Sequence, residues 1–99
     1  MNRIFGFIGV GNMGGALARA ACRSVGSDSV LVADLMREKS DSLAAECGCR
    51  SVDAADVAAH ADYIFLGAKP QAMEALLSGI RTALITRNKK FVLVSMAAG

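Results

Sequence analysis

Three glycines near the amino terminus have the spacing of a phosphate-binding turn. Gly9, Gly11 and Gly14 form a Gly-x-Gly-x-x-Gly motif between a short apolar run and a stretch of helical periodicity. The first glycine of such a motif permits the tight turn, the second lets a pyrophosphate approach the backbone, and the third lets the helix pack against the strand. The backbone N–H groups of residues 11–13 would then face a phosphate at the positive end of the helix dipole. The alternative is a structural turn that binds no ligand.

An acidic residue follows the motif at the interval of a ribose-binding carboxylate. Asp34 comes 20 residues after Gly14, where a carboxylate would bond both hydroxyls of an adenosine ribose. Its charge repels a 2′-phosphate and therefore favours NAD(H), whereas Arg37, or with less support Lys39, could supply an opposite charge and readmit NADP(H). The alternatives are a helix cap or a solvated turn for Asp34 and a position outside the site for Arg37.

Two later segments each follow an apolar run that is typical of a strand. In the first, Lys69 precedes Pro70, and we expect this cation near the pyrophosphate or the nicotinamide. In the second, residues 95–99, small side chains leave room for a ring. The alternative for the first segment is a helix that simply begins at a proline, and the alternative for the second is a turn. The candidate cofactor-binding residues of these segments are Gly67, Ala68, Lys69, Pro70, Met96, Ala97 and Ala98.

No catalytic or metal-binding set of residues accompanies these segments in the sequence. His60 is the only histidine, and its place near a predicted helix end favours a surface or capping role. The chain has no Ser/His/Asp set and no paired carboxylates of catalytic spacing. Cys22, Cys47 and Cys49 form no CxxC pair, so we expect them to be small apolar residues in a reducing compartment. We therefore assign cofactor-binding residues, no catalytic residue and no metal ligand.

Short β-branched or aromatic runs alternate with alanine-rich stretches of helical period along the chain. The alternation predicts βαβ units in a parallel sheet. The fold class that follows is α/β: one doubly wound, Rossmann-like domain with five strands in the order 3-2-1-4-5. The first helix is expected to turn one face towards the sheet, comprising Met13, Leu17, Ala20, Ala21 and Ser24. The predicted strands cover residues 3–8, 29–33, 50–52, 63–67 and 91–95, and the predicted helices cover residues 12–25 and 37–47 and begin after Asp53 and at Pro70.

The composition looks apolar but excludes a membrane-spanning segment. Hydrophobic residues make up 54% of the 99 residues, yet eighteen of them are alanines. No apolar run exceeds four residues, whereas a bilayer span needs about 20. The net charge of the chain is only +2 and its basic residues are scattered along the sequence. Both features argue against a nucleic-acid partner. The opening residues have no signal-peptide plan, so we expect a cytoplasmic protein.

Three segments of the chain resemble the pyrroline-5-carboxylate reductases in order and in interval. They are residues 7–17, 61–71 and 95–99. The glycine segment is shared with other β-hydroxyacid-type dehydrogenases. The Lys69-Pro70-Gln71 corner and the Ala97-Ala98-Gly99 segment are more particular to the pyrroline-5-carboxylate reductases.

The resemblance implies reduction of 1-pyrroline-5-carboxylate to L-proline by hydride transfer from NAD(P)H, the last step of proline biosynthesis. It places the adenosine ribose at Asp34 and the nicotinamide between residues 67–70 and 96–98. Two positions depart from the family pattern: Leu35 stands where many members carry an arginine, and Ala54 where members often carry an asparagine. The residues that the resemblance assigns to the pyrophosphate are Ile8, Gly9, Val10, Gly11, Asn12 and Met13.

Members of this family continue into a helical domain that dimerises and supplies the imine pocket and the proton donor. The resemblance therefore implies that residues 1–99 form the cofactor domain alone, binding NAD(P)H without turnover, while a small cyclic imine is the substrate of a homo-oligomeric full-length protein. Two alternatives remain. One is a stand-alone nucleotide-binding or regulatory module. The other is the cofactor half of another imine or β-hydroxyacid reductase.

Overall fold

The computed structural model describes residues 3–96 as nine strands and helices that alternate along the chain. A 3-10 turn at Ser27–Ser29 separates the first helix from the second strand. The elements are β1 (Phe5–Ile8), α1 (Asn12–Val25), β2 (Val30–Ala33), α2 (Arg37–Cys47), β3 (Arg50–Ser51), α3 (Ala54–His60), β4 (Tyr63–Leu66), α4 (Pro70–Thr86) and β5 (Val92–Ser95).

The five strands form one parallel sheet in the order β3-β2-β1-β4-β5. This confirms the predicted doubly wound α/β fold and its strand order. The bounds of α1 and α2 are those predicted from helical periodicity. The strands are each one or two residues shorter than predicted, although Ile4, Val52 and Gly67 just beyond their ends still hydrogen-bond to a neighbouring strand.

Side chains of the central strand point alternately into two separate cores. Phe7 faces α1 and α2 and stacks on Phe65 of β4, with ring centroids 4.7 Å apart. Ile8 faces the opposite side, where it packs in one cluster with Val57 of α3 and Ile80 of α4. Because both faces are covered, β1 and β2 are apolar at nearly every position instead of alternating with polar residues.

The inner face of α1 agrees with the prediction at Ala21, which packs against the core, and differs from it at Met13 and Leu17. Met13 and Leu17 are 57% and 40% exposed, and the buried residues of the helix are Gly14, Gly15 and Ala18. The helix turns its smallest residues inwards because the preceding turn lies directly beneath it, where larger side chains do not fit. Apolar periodicity alone does not distinguish the Met/Leu stripe from the Gly/Ala stripe of this helix.

None of the helices within residues 3–96 combines the length and the apolar character needed to cross a membrane.

The edge strand β5 is apolar and open to solvent, with Val92 49% and Leu93 40% exposed. Cys22, Cys47 and Cys49 are free thiols.

Asp62 fastens the amino-terminal end of β1 to the start of β4. Its Oδ2 accepts a hydrogen bond from the Ile4 N–H at 2.8 Å, and Lys89 Nζ lies 3.6 Å from its Oδ1. The backbone donor first, and then the charge of Lys89, hold the pKa of the Asp62 carboxyl below its usual value. A carboxyl whose pKa is lower in the folded chain stabilises the fold above its unfolded pKa, and that stabilisation is lost as the pH falls through the folded pKa.

We expect Asp62→Asn to lower the free energy of unfolding by about 1 kcal/mol at pH 7, because a neutral acceptor replaces a charged one. The difference between wild type and variant should be constant above about pH 5 and should shrink below about pH 4, where the carboxyl becomes protonated first in the unfolded chain. Urea unfolding of both proteins at pH 7, 5, 4 and 3 measures it. A difference that stays the same at pH 3 would contradict the role of the ionised carboxylate.

Candidate functional site

The helices that follow β1 and β4 both start at the carboxyl ends of these strands, but they pack on opposite faces of the sheet. β1 and β4 are paired neighbours. α1 packs on the face that carries Phe7, and α4 packs on the face that carries Ile8. This divergence opens a crevice at the carboxyl ends of the strands, which is where open parallel sheets bind ligands. The glycine motif and residues 67–70 both border this crevice.

Gly9 and Gly67 bring the ends of β1 and β4 into direct backbone contact. Gly9 has a φ of 93°, and a Cβ on it would lie 3.1 Å from the Gly67 carbonyl carbon. The Gly67 N–H donates to the Ile8 carbonyl at 2.7 Å, and the Gly9 N–H donates to the Ala33 carbonyl at 2.8 Å. The turn is therefore held from the strands on both sides, and neither glycine has room for a side chain.

The other two glycines of the motif differ in their surroundings. Gly14 lies so close to the Gly9 carbonyl oxygen that a Cβ would collide with it. Gly11 faces open space, with nothing within 4 Å of the position of a Cβ. The tight turn and the close helix packing expected of Gly9 and Gly14 are thus present, and the approach of a pyrophosphate to Gly11 stays a prediction.

The start of α1 presents backbone donors to the crevice. Gly11, Asn12 and Met13 are exposed, and their N–H groups have no hydrogen-bond acceptor within residues 3–96. The first intrahelical bond of this end runs from the Gly15 N–H to the Gly11 carbonyl at 2.7 Å. The first N–H groups of a helix are unpaired by construction, so they are available to an anion. The side chains of Ile8 and Val10 are buried in the two cores, so these residues can contribute only backbone atoms.

Both oxygens of the Asp34 carboxylate accept backbone hydrogen bonds. Oδ2 accepts from the Val10 N–H at 2.8 Å, and Oδ1 accepts from the Met36 N–H at 2.9 Å. Asp34 thereby joins the glycine turn to Met36, the residue before α2. This is a turn-forming role, which was the alternative to ribose binding. Because each carboxylate oxygen has a second lone pair, contact with ribose hydroxyls is compatible with both bonds and stays a prediction.

Arg37 is engaged with the segment that follows α2. Its Nη1 lies 2.8 Å from Asp53 Oδ1, its Nε lies 3.2 Å from Asp41 Oδ1, and its Nη2 donates to the Ser51 carbonyl at 3.3 Å. Two carboxylates thus compensate its charge. The predicted contact of Arg37 with a 2′-phosphate would require the guanidinium to leave these partners.

Residues 67–70 turn the chain from β4 into α4. Lys69 is the capping residue of α4 and is exposed, Pro70 is its first residue, and the Ala72 N–H donates to the Lys69 carbonyl at 2.9 Å. The helix that begins at a proline is therefore present. The exposed Lys69 ammonium at this edge is also free to approach a bound phosphate, which stays a prediction together with the roles of Ala68 and Pro70.

Met96 covers the junction of the glycines. Its N–H donates to the Leu66 carbonyl at 2.8 Å, and its methyl carbon lies 3.2 Å and 3.6 Å from the positions that a Cβ on Gly67 and on Gly14 would take. Ala97 and Ala98 lie outside the described residues. Sequence reasoning placed Met96 here but missed that its side chain packs on two glycines.

An open cleft of about 370 Å³ lies beside the glycine turn. It is lined by Val10, by Met36 and by side chains of α1 and α2. Within the described part of the chain, no group of His, Cys, Asp or Glu side chains is arranged to hold a metal ion. The described residues of the site offer backbone donors and do not include a placed acid or base.

The sequence did not reveal that Asp34 fixes the glycine turn. The signal available was an acidic residue at the end of a strand next to β1, which places a carboxylate beside that turn. A ribose-binding residue and a turn-fixing residue have the same sequence signature, so only the distances to Val10 and Met36 reveal the second role.

The family described as NADP oxidoreductase, coenzyme F420-dependent, matches residues 4–99. The chain belongs to this family. Its members are oxidoreductases of the NADP-binding kind, and the chain has the Rossmann-like fold expected of such a domain.

Individual relatives agree with this family and with the resemblance seen in the sequence. The pyrroline-5-carboxylate reductase of Methanosarcina acetivorans is 33% identical over 101 residues, which cover 99% of this chain and 36% of the relative. The structure of the pyrroline-5-carboxylate reductase of Coxiella burnetii matches 100% of this chain and 37% of its own, with a TM-score of 0.83 and 23% identity.

A third relative is an imine reductase. A variant of the enzyme from Myxococcus stipitatus, in complex with NAD+, matches 100% of this chain and 33% of its own, with a TM-score of 0.81 and 24% identity. At these identities the two structures show the fold. The chain spans about a third of the length of the three relatives.

Proposed function

We propose that this chain binds NAD(P)H as the cofactor domain of a pyrroline-5-carboxylate reductase, which reduces 1-pyrroline-5-carboxylate to L-proline in proline biosynthesis. The observation that carries the proposal is the glycine turn at the crevice, where Gly14 packs on the Gly9 carbonyl while Gly11 faces open space. The 33% identical relative of that name supports the substrate class, a small cyclic imine.

The residues at the crevice fit a dinucleotide. The unpaired N–H groups of residues 11–13 suit a pyrophosphate, and the open space at Gly11 lets it reach the backbone. Asp34 offers acceptors for ribose hydroxyls at the end of β2. When bound, the nicotinamide supplies the hydride that the imine accepts. Residues 67–70 and Met96 border the crevice on the side of β4 and β5, where we place the nicotinamide.

We assign no catalytic residue to this chain. Hydride transfer requires the imine within about 3–3.5 Å of the nicotinamide. We expect the proton donor, the groups that hold the imine and the contacts of a homo-oligomer in the part of the relatives' length that this chain does not span. The 99 residues alone are then expected to bind the cofactor without turnover.

We expect the chain to bind NADH at least as tightly as NADPH. The carboxylate of Asp34 repels a 2′-phosphate, Leu35 beside it is uncharged and fully exposed, and Arg37 is paired with Asp41 and Asp53. Titration calorimetry, or the emission of the reduced cofactor, measures both affinities. A tenfold preference for NADPH would require about 1.4 kcal/mol in the opposite direction and would contradict this account of the site.

The variant Leu35→Arg tests this account of NADH and NADPH preference directly. The side chain at this position is fully exposed, so the substitution should leave the fold unchanged. It adds a cation beside Asp34, so we expect NADPH affinity to rise about tenfold while NADH affinity changes by less than about twofold. Equal gains for both cofactors would place the 2′-phosphate elsewhere.

The reaction itself is tested on the protein from the complete gene. Proline-dependent reduction of NAD+ or NADP+ supports the proposed substrate. Cofactor binding without that activity, together with oxidation of NADH by a different cyclic imine, would assign the chain to another imine reductase. Cofactor binding without any reductase activity would favour a nucleotide-binding module.

A further inference from the structure

Three cysteine side chains meet on the sheet face that α1 and α2 cover. Cys22 lies in the last turn of α1, Cys47 is the last residue of α2, and Cys49 precedes β3. All three pack in the same apolar cluster, where Cys49 is buried and the other two are half-buried. The nearby Cys22 thiol contributes to raising the pKa of both Cys47 and Cys49, and Cys47 contributes to raising that of Cys49.

A cleft connects two of these thiols to solvent. It has a volume of about 310 Å³, and Cys22 and Cys47 line it whereas Cys49 does not. The Ser27 hydroxyl donates to the Cys47 carbonyl at 2.6 Å, and Arg19 pairs with Glu46 at 2.6 Å, so the ends of α1 and α2 are held together around the cleft. A small solute can therefore reach Cys22 and Cys47 while the chain stays folded.

The arrangement suits a reaction between two sulfurs. The cysteines do not form a group that could hold a metal ion within residues 3–96. Burial, and then the nearby Cys22 thiol, raise the pKa of Cys47, and burial raises the pKa of Cys49 to about 12. Both groups stay protonated at neutral pH and are poor first nucleophiles. We take Cys22 as the attacking sulfur because it lines the cleft together with Arg19 and Arg23.

We propose that Cys22 and Cys47 form a reversible disulfide when the chain meets hydrogen peroxide. The Cys22 sulfur attacks one peroxide oxygen, the O–O bond breaks, and a sulfenic acid and one water result. The Cys47 sulfur then attacks the Cys22 sulfur, the S–S bond forms as the S–O bond breaks, and a second water leaves. The two sulfurs lose the two electrons that the peroxide gains, and both thiol protons end in the two waters.

The bond would join the carboxyl ends of the two helices that cover one face of the sheet. It closes a loop that contains the Ser27–Ser29 turn, β2 and α2. Closing a loop in the unfolded chain lowers its entropy, so the oxidised chain is expected to be more stable than the reduced one. This inference does not depend on the proposed cofactor, because neither cysteine borders the crevice at the glycine turn.

Peptide mapping of the peroxide-treated 99-residue chain tests the bond. The reduced chain is treated with a slight excess of hydrogen peroxide, alkylated and digested with trypsin, which yields peptide 20–23 with Cys22 and peptide 40–50 with both other cysteines. We expect these peptides to be linked, one cysteine to be alkylated, and dithiothreitol to reverse the link. Three alkylated cysteines, or links only between chains, would overturn the proposal.

Single serine variants identify the partner, because peptide 40–50 contains two cysteines. The link should persist in Cys49→Ser and disappear in Cys22→Ser and Cys47→Ser. A link that persists in Cys47→Ser would show that Cys49 is the partner and would overturn the assignment. We also expect peroxide to raise the Tm of wild type and Cys49→Ser by at least about 5 °C. Cys22→Ser retains all the methionines, so an equal rise there would attribute the shift to another oxidation.

Discussion

Gly14→Ala should lower the free energy of unfolding by about 1–3 kcal/mol, although alanine is the better helix former. A Cβ at this position would collide with the carbonyl oxygen of Gly9. That oxygen belongs to a turn whose Gly9 N–H is bonded to Ala33 and whose backbone rests on Gly67, so it cannot move aside. The helix must shift instead, and the N–H groups at its start leave their positions. We therefore expect cofactor affinity to fall with stability.

Gly11→Ala makes the same chemical change three residues earlier and should have the opposite profile. Its Cβ would enter open space, and its φ of −69° suits any residue. The free energy of unfolding should stay within about 1 kcal/mol of wild type. The added methyl group would occupy the space where a pyrophosphate approaches, so we expect NADH affinity to fall at least tenfold, or about 1.4 kcal/mol.

Urea unfolding and calorimetric titration of the two variants separate packing from binding. Wild-type stability in Gly14→Ala would show that the turn can relax. Wild-type NADH affinity in Gly11→Ala would place the pyrophosphate away from this turn and would count against the proposed cofactor site.

Gly6→Ala should destabilise the packing on the opposite face of the sheet. A Cβ on Gly6 would collide with Cγ1 of Val57, which is fully buried, and would lie 2.9 Å from Cβ of Ala61. Both neighbours belong to α3 or its cap, so accommodation would push this helix away from β1. We expect a loss of about 1–3 kcal/mol in the free energy of unfolding.

Val57→Ala provides the second arm of a double-mutant cycle. Alone it removes two buried methyl groups and should cost about 1–3 kcal/mol. Combined with Gly6→Ala it removes the colliding atom, so the double variant should be at least about 1 kcal/mol more stable than the sum of the single losses. Gly79→Ala in α4 is the control, because its Cβ meets nothing within 4 Å and should be neutral or slightly stabilising. Additive losses in the cycle would contradict the contact.

The sequence was sufficient for the strand order because its signals were local. A few neighbouring residues are enough to recognise an apolar run, the end of a helix or the glycine motif. The handedness of βαβ crossovers then leaves few topologies for the sheet. The parallel sheet in the order β3-β2-β1-β4-β5 follows from these rules.

Contacts between distant residues could not be obtained in this way. The bonds of Arg37 to Asp53 and of Asp34 to Val10 join segments whose separation in sequence carries no periodic signal. Part of the inward face of α1 was mispredicted for a related reason: hydrophobicity ranks Leu17 above Gly14, whereas the space above the turn admits only the glycine. The size of that space is a property of the folded backbone.

The contact between Gly9 and Gly67 also has a consequence for the order of events during synthesis. Synthesis starts at the amino terminus and adds about 5–20 residues per second, so the glycine motif and Asp34 are made well before β4. Until β4 has been made and paired with β1, the Gly9 turn lacks one of its two walls. A nascent chain that stops before Tyr63 therefore contains the whole motif but not the finished glycine turn. Under the proposed function, the ability to hold a dinucleotide arises only when the fourth strand has paired.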